Sequence, residues 1–221
     1  MTPAQVLIIA AALGTALVTG GIVGPVLRWL PEPADEEKVA YATLAAPRFV
    51  LGCVLCSAVA AALSWATLPA AVQPLWSVLA VGGVLLAAID AATTWLPLPL
   101  VQVSWVAMAV ATLTAASLAG SWALLLRAAV GAALAGGLYL VVWLVARGGF
   151  GFGDVRFAPL LGAAAAAHSW PLLVSALAAG TVLGALHGVL RLVRRQRGGF
   201  PYAPAMLGGS YLAALSQWLM S

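Results

Sequence analysis

Apolar residues run in stretches of about twenty along most of this chain, and polar residues are confined largely to the gaps between them. A helix needs about 20 mainly apolar residues to cross the hydrocarbon core of a bilayer. Runs of that kind lie near 4–27, 49–68, 74–91, 99–119, 121–146 and 170–190. A shorter run near 156–168 and a last one near 202–219 bring the set to eight. The gaps hold helix breakers: Leu-Pro-Glu-Pro at 30–33, Leu-Pro-Leu-Pro at 96–99 and Arg-Gly-Gly at 147–149, with His168-Ser169-Trp170-Pro171 dividing the sixth run from the seventh. The alanines at 163–167 suit a tightly packed helix. No internal repeat and no long linker interrupts the series. The pattern predicts an all-α, polytopic transmembrane bundle of about eight spanning segments, one of them short. It forms a single membrane-embedded domain over residues 1–221, with a short connector at 28–48.

Composition sharpens this reading. The chain is 64% hydrophobic and 7% charged, with a mean hydropathy of +1.08. A soluble domain carries about a quarter of its residues as charges, so water cannot be the solvent for most of this surface. The first run is too long for the apolar region of a secretory signal, and no Lys or Arg precedes it, so it is expected to stay as a first span. Charge then sets orientation. If the first helix runs from outside to inside, the connectors ending spans one, three, five and seven are cytoplasmic. They and the helix ends beside them hold Arg28, Lys38, Arg48, Arg147, Arg156, Arg191, Arg194, Arg195 and Arg197, nine of the ten basic residues. Only Arg127 falls elsewhere. Such a bias is an orientation signal in a membrane protein. It places both termini outside and gives no groove for nucleic-acid phosphates.

The acids carry the chemistry. Glu32, Asp35, Glu36 and Glu37 cluster in the first connector, where water solvates them. Asp90 and Asp154 stand alone, the first ending an apolar run and the second opening the short sixth segment. By the expected topology both lie at cytoplasmic helix ends, at one depth. A carboxylate at the membrane boundary costs a few kcal/mol, so a charge-poor chain is not expected to hold two without use. Taken singly, either suits a helix end; Asp154 precedes a predicted helix and suits its N-cap. Two carboxylates that approach closely do not both ionise easily and share a proton. The ionised one takes a proton from water while its partner protonates a scissile carbonyl.

Nothing else in the sequence competes for that role. His168 falls on the outer side, and His187 lies beside Gly180, Gly184 and Gly188, a spacing that reads as helix packing. Cys53 and Cys56 share one apolar run and read as packing residues; a single CxxC without a second pair is a poor zinc site. No metal and no cofactor is expected. The stretch Gly148-Gly149-Phe150-Gly151-Phe152-Gly153 before Asp154 is not expected to be helical, because each Gly costs about 1 kcal/mol relative to Ala. Its glycines let another chain come close to the carboxylate. They read alternatively as a flexible turn between two spans.

Gly-Phe-Gly-Asp-Val-Arg at 151–156 resembles the GxGD signature of the type IV prepilin peptidases, with a basic residue two positions after the Asp. Ile89-Asp90 with Leu96-Pro97 downstream is similar to the segment carrying that family's first catalytic aspartate. Phe200-Pro201-Tyr202-Ala203-Pro204 is similar to the Pro-containing approach to its final helix. The resemblance covers most of the chain from about residue 75. It implies an aspartic endopeptidase of the bacterial cytoplasmic membrane, cleaving the basic leader of prepilins or pseudopilins at the cytoplasmic face. By it Asp90 and Asp154 are the catalytic pair, Gly151 and Gly153 belong to the substrate loop, and Arg156 is a supporting residue. The family's larger, bifunctional members carry paired CxxC motifs after the first span. Here that connector is short and free of cysteine, so the resemblance leaves N-methylation open. Where the family often has Leu-Pro-Asp, this chain has Leu96-Pro97-Leu98. Presenilin-like proteases share GxGD and rank second, because the first Asp lacks a preceding Tyr. Outside the proteases, the alternatives are a proton-coupled transporter and a non-catalytic pilus or secretion assembly factor.

Overall fold

A computed structural model describes residues 1–31, 39–146, 151–195 and 200–220. The acidic cluster Glu32, Asp35, Glu36 and Glu37, together with Lys38, Arg147, Gly148, Gly149, Phe150 and Arg197, lies outside the described residues. Eight helices make up the described chain: α1 (Pro3–Trp29), α2 (Pro47–Thr67), α3 (Ala70–Thr93), α4 (Leu98–Leu118), α5 (Trp122–Ala146), α6 (Phe152–His168), α7 (Trp170–Val193) and α8 (Ala203–Met220). A short 3₁₀ turn, Tyr41–Leu44, precedes α2. No strand occurs among the described residues. Six helices are long and apolar enough to cross a membrane; α6 and α8 are shorter, at 17 and 18 residues. Apolar side chains such as Leu17, Leu118 and Leu192 are each more than three-quarters exposed. Lipid on those faces, in place of water, removes the cost of leaving them outside.

Side-chain register fixes the helix directions. Gly131 of α5 faces Gly162 and Ala166 of α6, Gly136 faces Pro159, and Trp143 packs edge-on against Phe152. Ascending positions on one helix meet descending ones on the other, so α5 and α6 are antiparallel. The same reasoning makes α7 and α8 antiparallel, through Gly180 against Met206 and Gly184 against Tyr202, and α3 and α8 antiparallel, through Trp76 against Tyr211 and Gly83 against Leu207. Central to the bundle is α6, where Ala163 to Ala167 are all nearly inaccessible. Small side chains there let the neighbouring backbones approach closely, which drives helix association where burial from water offers no gain.

The structure corrects the expected start of the sixth segment. The helix opens at Phe152, inside the glycine-rich stretch, and Asp154 is its third residue, with Gly151 at the N-cap position. The propensity penalty of one Gly is about 1 kcal/mol. Packing of Phe152 on Trp143, at 5.0 Å between ring centres, and of the Arg156 guanidinium over the Phe152 ring at 4.6 Å outweighs it. A carboxylate in the first turn also faces the helix's free N–H groups.

Three further details differ from the sequence reading. The break between α6 and α7 is a single residue, Ser169, whose hydroxyl accepts from the Leu172 N–H and caps α7. Within α3, Leu79–Gly83 forms a π-helical segment; Gly82 and Gly83 lie there against Ser104 and Leu207, at close quarters. Of the glycine series on α7, Gly180 and Gly184 pack on α8, while Gly188 meets nothing within 4 Å and stands outside the interface.

Candidate active site

Asp90 lies in the last turn of α3 and Asp154 in the first turn of α6. The antiparallel register puts both at one end of the bundle. Their carboxylates are close enough for their charges to interact. Both are almost fully buried, at 4% and 5% exposure. Two acids excluded from solvent at one end of the bundle, in a chain with 7% charged residues, are a candidate site and not a solvated surface.

Local structure explains the convergence. After Asp90, α3 ends at Thr94, whose backbone is left-handed at φ 57° and whose N–H donates to the Asp90 carbonyl at 2.7 Å. The chain then turns through Leu96 and Pro97 into α4. A Cβ on Gly153 would stand 3.0 Å from the Leu96 Cβ, tighter than side chains ordinarily pack. Glycine at 153 thus lets the first turn of α6 seat directly on the turn that follows Asp90. Gly151 has a similar constraint, since a Cβ there would lie 3.1 Å from Asp154 Oδ2.

The two carboxylates have different partners. The Ala203 N–H, at the start of α8, donates to Asp90 Oδ2 at 3.0 Å. Asp154 Oδ1 is buried and accepts no hydrogen bond among the described residues. Tyr139 of α5, 4% exposed, lies within electrostatic reach of Asp154, and its hydroxyl is within hydrogen-bonding reach of Tyr202 and Thr181. Tyr202 immediately precedes Ala203, so one aromatic contact links the surroundings of both acids. The Tyr139 and Tyr202 rings sit 6.0 Å apart.

The other sequence candidates separate clearly. Arg156 is half-buried and stacks on Phe152; its carbonyl accepts from Trp105 Nε1 at 2.9 Å, tying α6 to α4. His168 closes the far end of α6, within charge reach of Arg127 and remote from the two acids, as the sequence reading expects. His187 packs against Phe200, 5.0 Å between rings. Cys53 is buried in the core, as expected, whereas Cys56 is exposed and is not a packing residue. No cluster of three or more His, Cys, Asp or Glu is arranged to hold a metal among the described residues.

Sequence reasoning missed the Ala203 N–H, because a backbone donor has no residue signature. It also missed Tyr139, although the one tyrosine of the 121–146 run, well inside the span, was a usable signal.

Comparison with known proteins finds no match among curated proteins and none among solved structures. The model of the type IV leader peptidase family matches residues 77–189. The matched region takes in Asp90, Gly151, Gly153, Asp154 and Arg156, and it spans the α3 turn, the α5–α6 pair and most of α7. The chain therefore belongs to the type IV leader peptidase family and is a membrane protease.

Proposed function

We propose that this protein is an aspartic endopeptidase that removes the basic leader of type IV prepilins or pseudopilins at the cytoplasmic face of the bacterial inner membrane. Asp90 and Asp154 are its catalytic pair. The observation that carries this reading is their burial at one end of the bundle, within range of each other's charge.

Chemically, the two acids hold one proton between them. The Ala203 N–H suits Asp90 to carry the negative charge, and Asp154, whose buried Oδ1 accepts no hydrogen bond among the described residues, to carry the proton. Asp90 then takes a proton from water, whose oxygen attacks the scissile carbonyl carbon. Asp154 gives its proton to the carbonyl oxygen. Collapse of the tetrahedral intermediate breaks the C–N bond, and the leaving nitrogen takes a proton back from the pair. No nucleophilic side chain is needed. Orientation supports the cytoplasmic face: Arg28, Arg48, Arg191, Arg194 and Arg195 all belong to the end that bears the two acids.

The test is cleavage of a co-expressed prepilin in membranes by wild type, Asp90→Asn and Asp154→Asn. Cleavage by wild type alone supports the reading. Normal cleavage by either variant removes it.

A further inference from the structure

The donor that holds Asp90 sits at a helix start and has no polar side chain of its own to fix it. Ala203 is the first residue of α8 and is fully buried. Pro204, next along, has no N–H. The Ala205 and Met206 N–H groups both donate to the Tyr202 carbonyl, at 3.0 and 3.1 Å. The Ala203 N–H is left over from this helix start and is turned to Asp90. Where it points depends on the residue before it, Tyr202, whose carbonyl opens the helix.

Tyr202 is held in turn by other helices. A Cβ on Gly184 of α7 would run into its ring. The Phe200 ring lies 5.8 Å from it and the Tyr139 ring of α5 6.0 Å. His187 of α7 extends the series, 5.0 Å from Phe200. Rings from α5 and α7 thus flank the segment that leads into α8. At one point the contact is also polar, because the Tyr139 and Tyr202 hydroxyls are within hydrogen-bonding reach of each other. Tyr139 is 4% exposed. Packing alone at such a position is met by phenylalanine. A buried phenol left unpaired costs about 1–3 kcal/mol, so the hydroxyl is tolerated there only through the bond it makes.

We propose that Tyr139 is a positioning residue for the catalytic pair: its hydrogen bond with the Tyr202 hydroxyl holds the entry to α8 so that the Ala203 N–H stays on Asp90. The inference rests on the peptidase reading and deepens it. Tyr139 also lies within charge reach of Asp154, so one side chain of α5 is placed with respect to both acids. A hydrogen bond weakens steeply with misalignment, and a small swing of Tyr202 is enough to detach the donor from Asp90. Such a displacement acts on the acid and leaves the surfaces that bind substrate in place. It lowers kcat and spares KM.

The test is the cleavage of a prepilin, over a range of its concentrations, by the full chain in membranes. Tyr139→Phe, Tyr202→Phe and the double variant are compared with wild type. Phenylalanine fills the same space and removes only the hydroxyl. Tyr211→Phe is the control: Tyr211 is also buried on α8, roughly 12 Å along it from Ala203, and its hydroxyl has no partner among the described residues. Each single variant at 139 or 202 is expected to lower kcat at least fivefold, with KM within twofold of wild type. The double variant is expected to be within twofold of the slower single, because both replacements remove one and the same bond. Tyr211→Phe is expected to cleave within twofold of wild type. Either single variant cleaving within twofold of wild type, losses that multiply in the double, a loss carried by KM alone, or an equal loss in Tyr211→Phe overturns the positioning role and leaves the peptidase reading in place. A prepilin left uncut by wild type overturns both.

Discussion

Asp90 and Ala203 lie 113 positions apart in the chain and are joined by a 3.0 Å hydrogen bond from the N–H that opens α8 to the carboxylate that ends α3. The bond fixes the acid and also satisfies a free donor at a helix N-terminus. Two replacements separate these roles. Asn keeps a carbonyl oxygen for the Ala203 N–H but cannot take a proton from water. Asp90→Asn is expected to lose cleavage and retain thermal stability to within about 1 kcal/mol. Asp90→Ala is expected to lose cleavage and also about 1–3 kcal/mol, because the donor is left buried and unpaired. Thermal unfolding in detergent, read beside prepilin cleavage, distinguishes the two.

Closeness of α5 and α6 depends on Gly131 and Gly162. A Cβ on Gly131 would meet the Gly162 backbone and the Ala166 methyl, and one on Gly162 would meet the Gly131 backbone. Backbone cannot yield as a flexible side chain does, so the helices must part and Asp154 must move with α6. Gly131→Leu and Gly162→Leu are each expected to cost at least about 2 kcal/mol. Gly137 lies on the same helix with nothing within 4 Å. Gly137→Ala is expected to be neutral or stabilising by up to about 1 kcal/mol. Unfolding midpoints of the three variants test the contrast.

How far such features were legible in the sequence depends on how local they are. Each spanning helix satisfies its own backbone, so an apolar run marks it without knowledge of its neighbours. For that reason all eight helices were visible, and so was the pair of isolated acids. The start of α6 was not, because the gain from Phe152 against Trp143 comes from another helix and does not appear in the propensity of Gly153. The π segment at Leu79–Gly83 left no mark in the hydrophobic pattern. Nor did spacing alone show that Gly180 and Gly184 meet α8 while Gly188 does not.

Gly184 provides an indirect route to the site. A Cβ there would run into the Tyr202 ring, and Tyr202 adjoins the residue that donates to Asp90. Gly184→Val is expected to displace Tyr202 and reduce cleavage at least tenfold, with the fold retained. Gly188→Val, one turn further along α7 and in open space, is expected to leave cleavage within twofold of wild type. Equal losses in both variants would refute a path through Tyr202.

Thr94 ends α3 in the left-handed region, at φ 57°. A β-branched residue is strained there, by about 1–2 kcal/mol, and glycine is not. Thr94 is exposed, so little packing is lost on replacement. Thr94→Gly is expected to stabilise the protein by about 1 kcal/mol in thermal unfolding and to leave cleavage unchanged, since the turn from Asp90 into Leu96 is already the one glycine prefers.

Tyr41, in the 3₁₀ turn before α2, is 3% exposed, and its hydroxyl is buried with no partner among the described residues. Burial pushes its pKa up to about 12 from an ordinary 10.0. Below about 10 the phenol is neutral in both folded and unfolded chains, so its contribution does not vary with pH. Between about 10 and 12 the unfolded chain ionises first and stability falls. Removing the hydroxyl removes both the desolvation cost and the alkaline loss. Tyr41→Phe is expected to be more stable than wild type by about 1 kcal/mol at neutral pH. The gap is expected to widen as the pH is raised from 9 to 12, in unfolding followed at fixed detergent concentration. A gap that narrows over that range would show that the hydroxyl gains a partner as the medium turns basic.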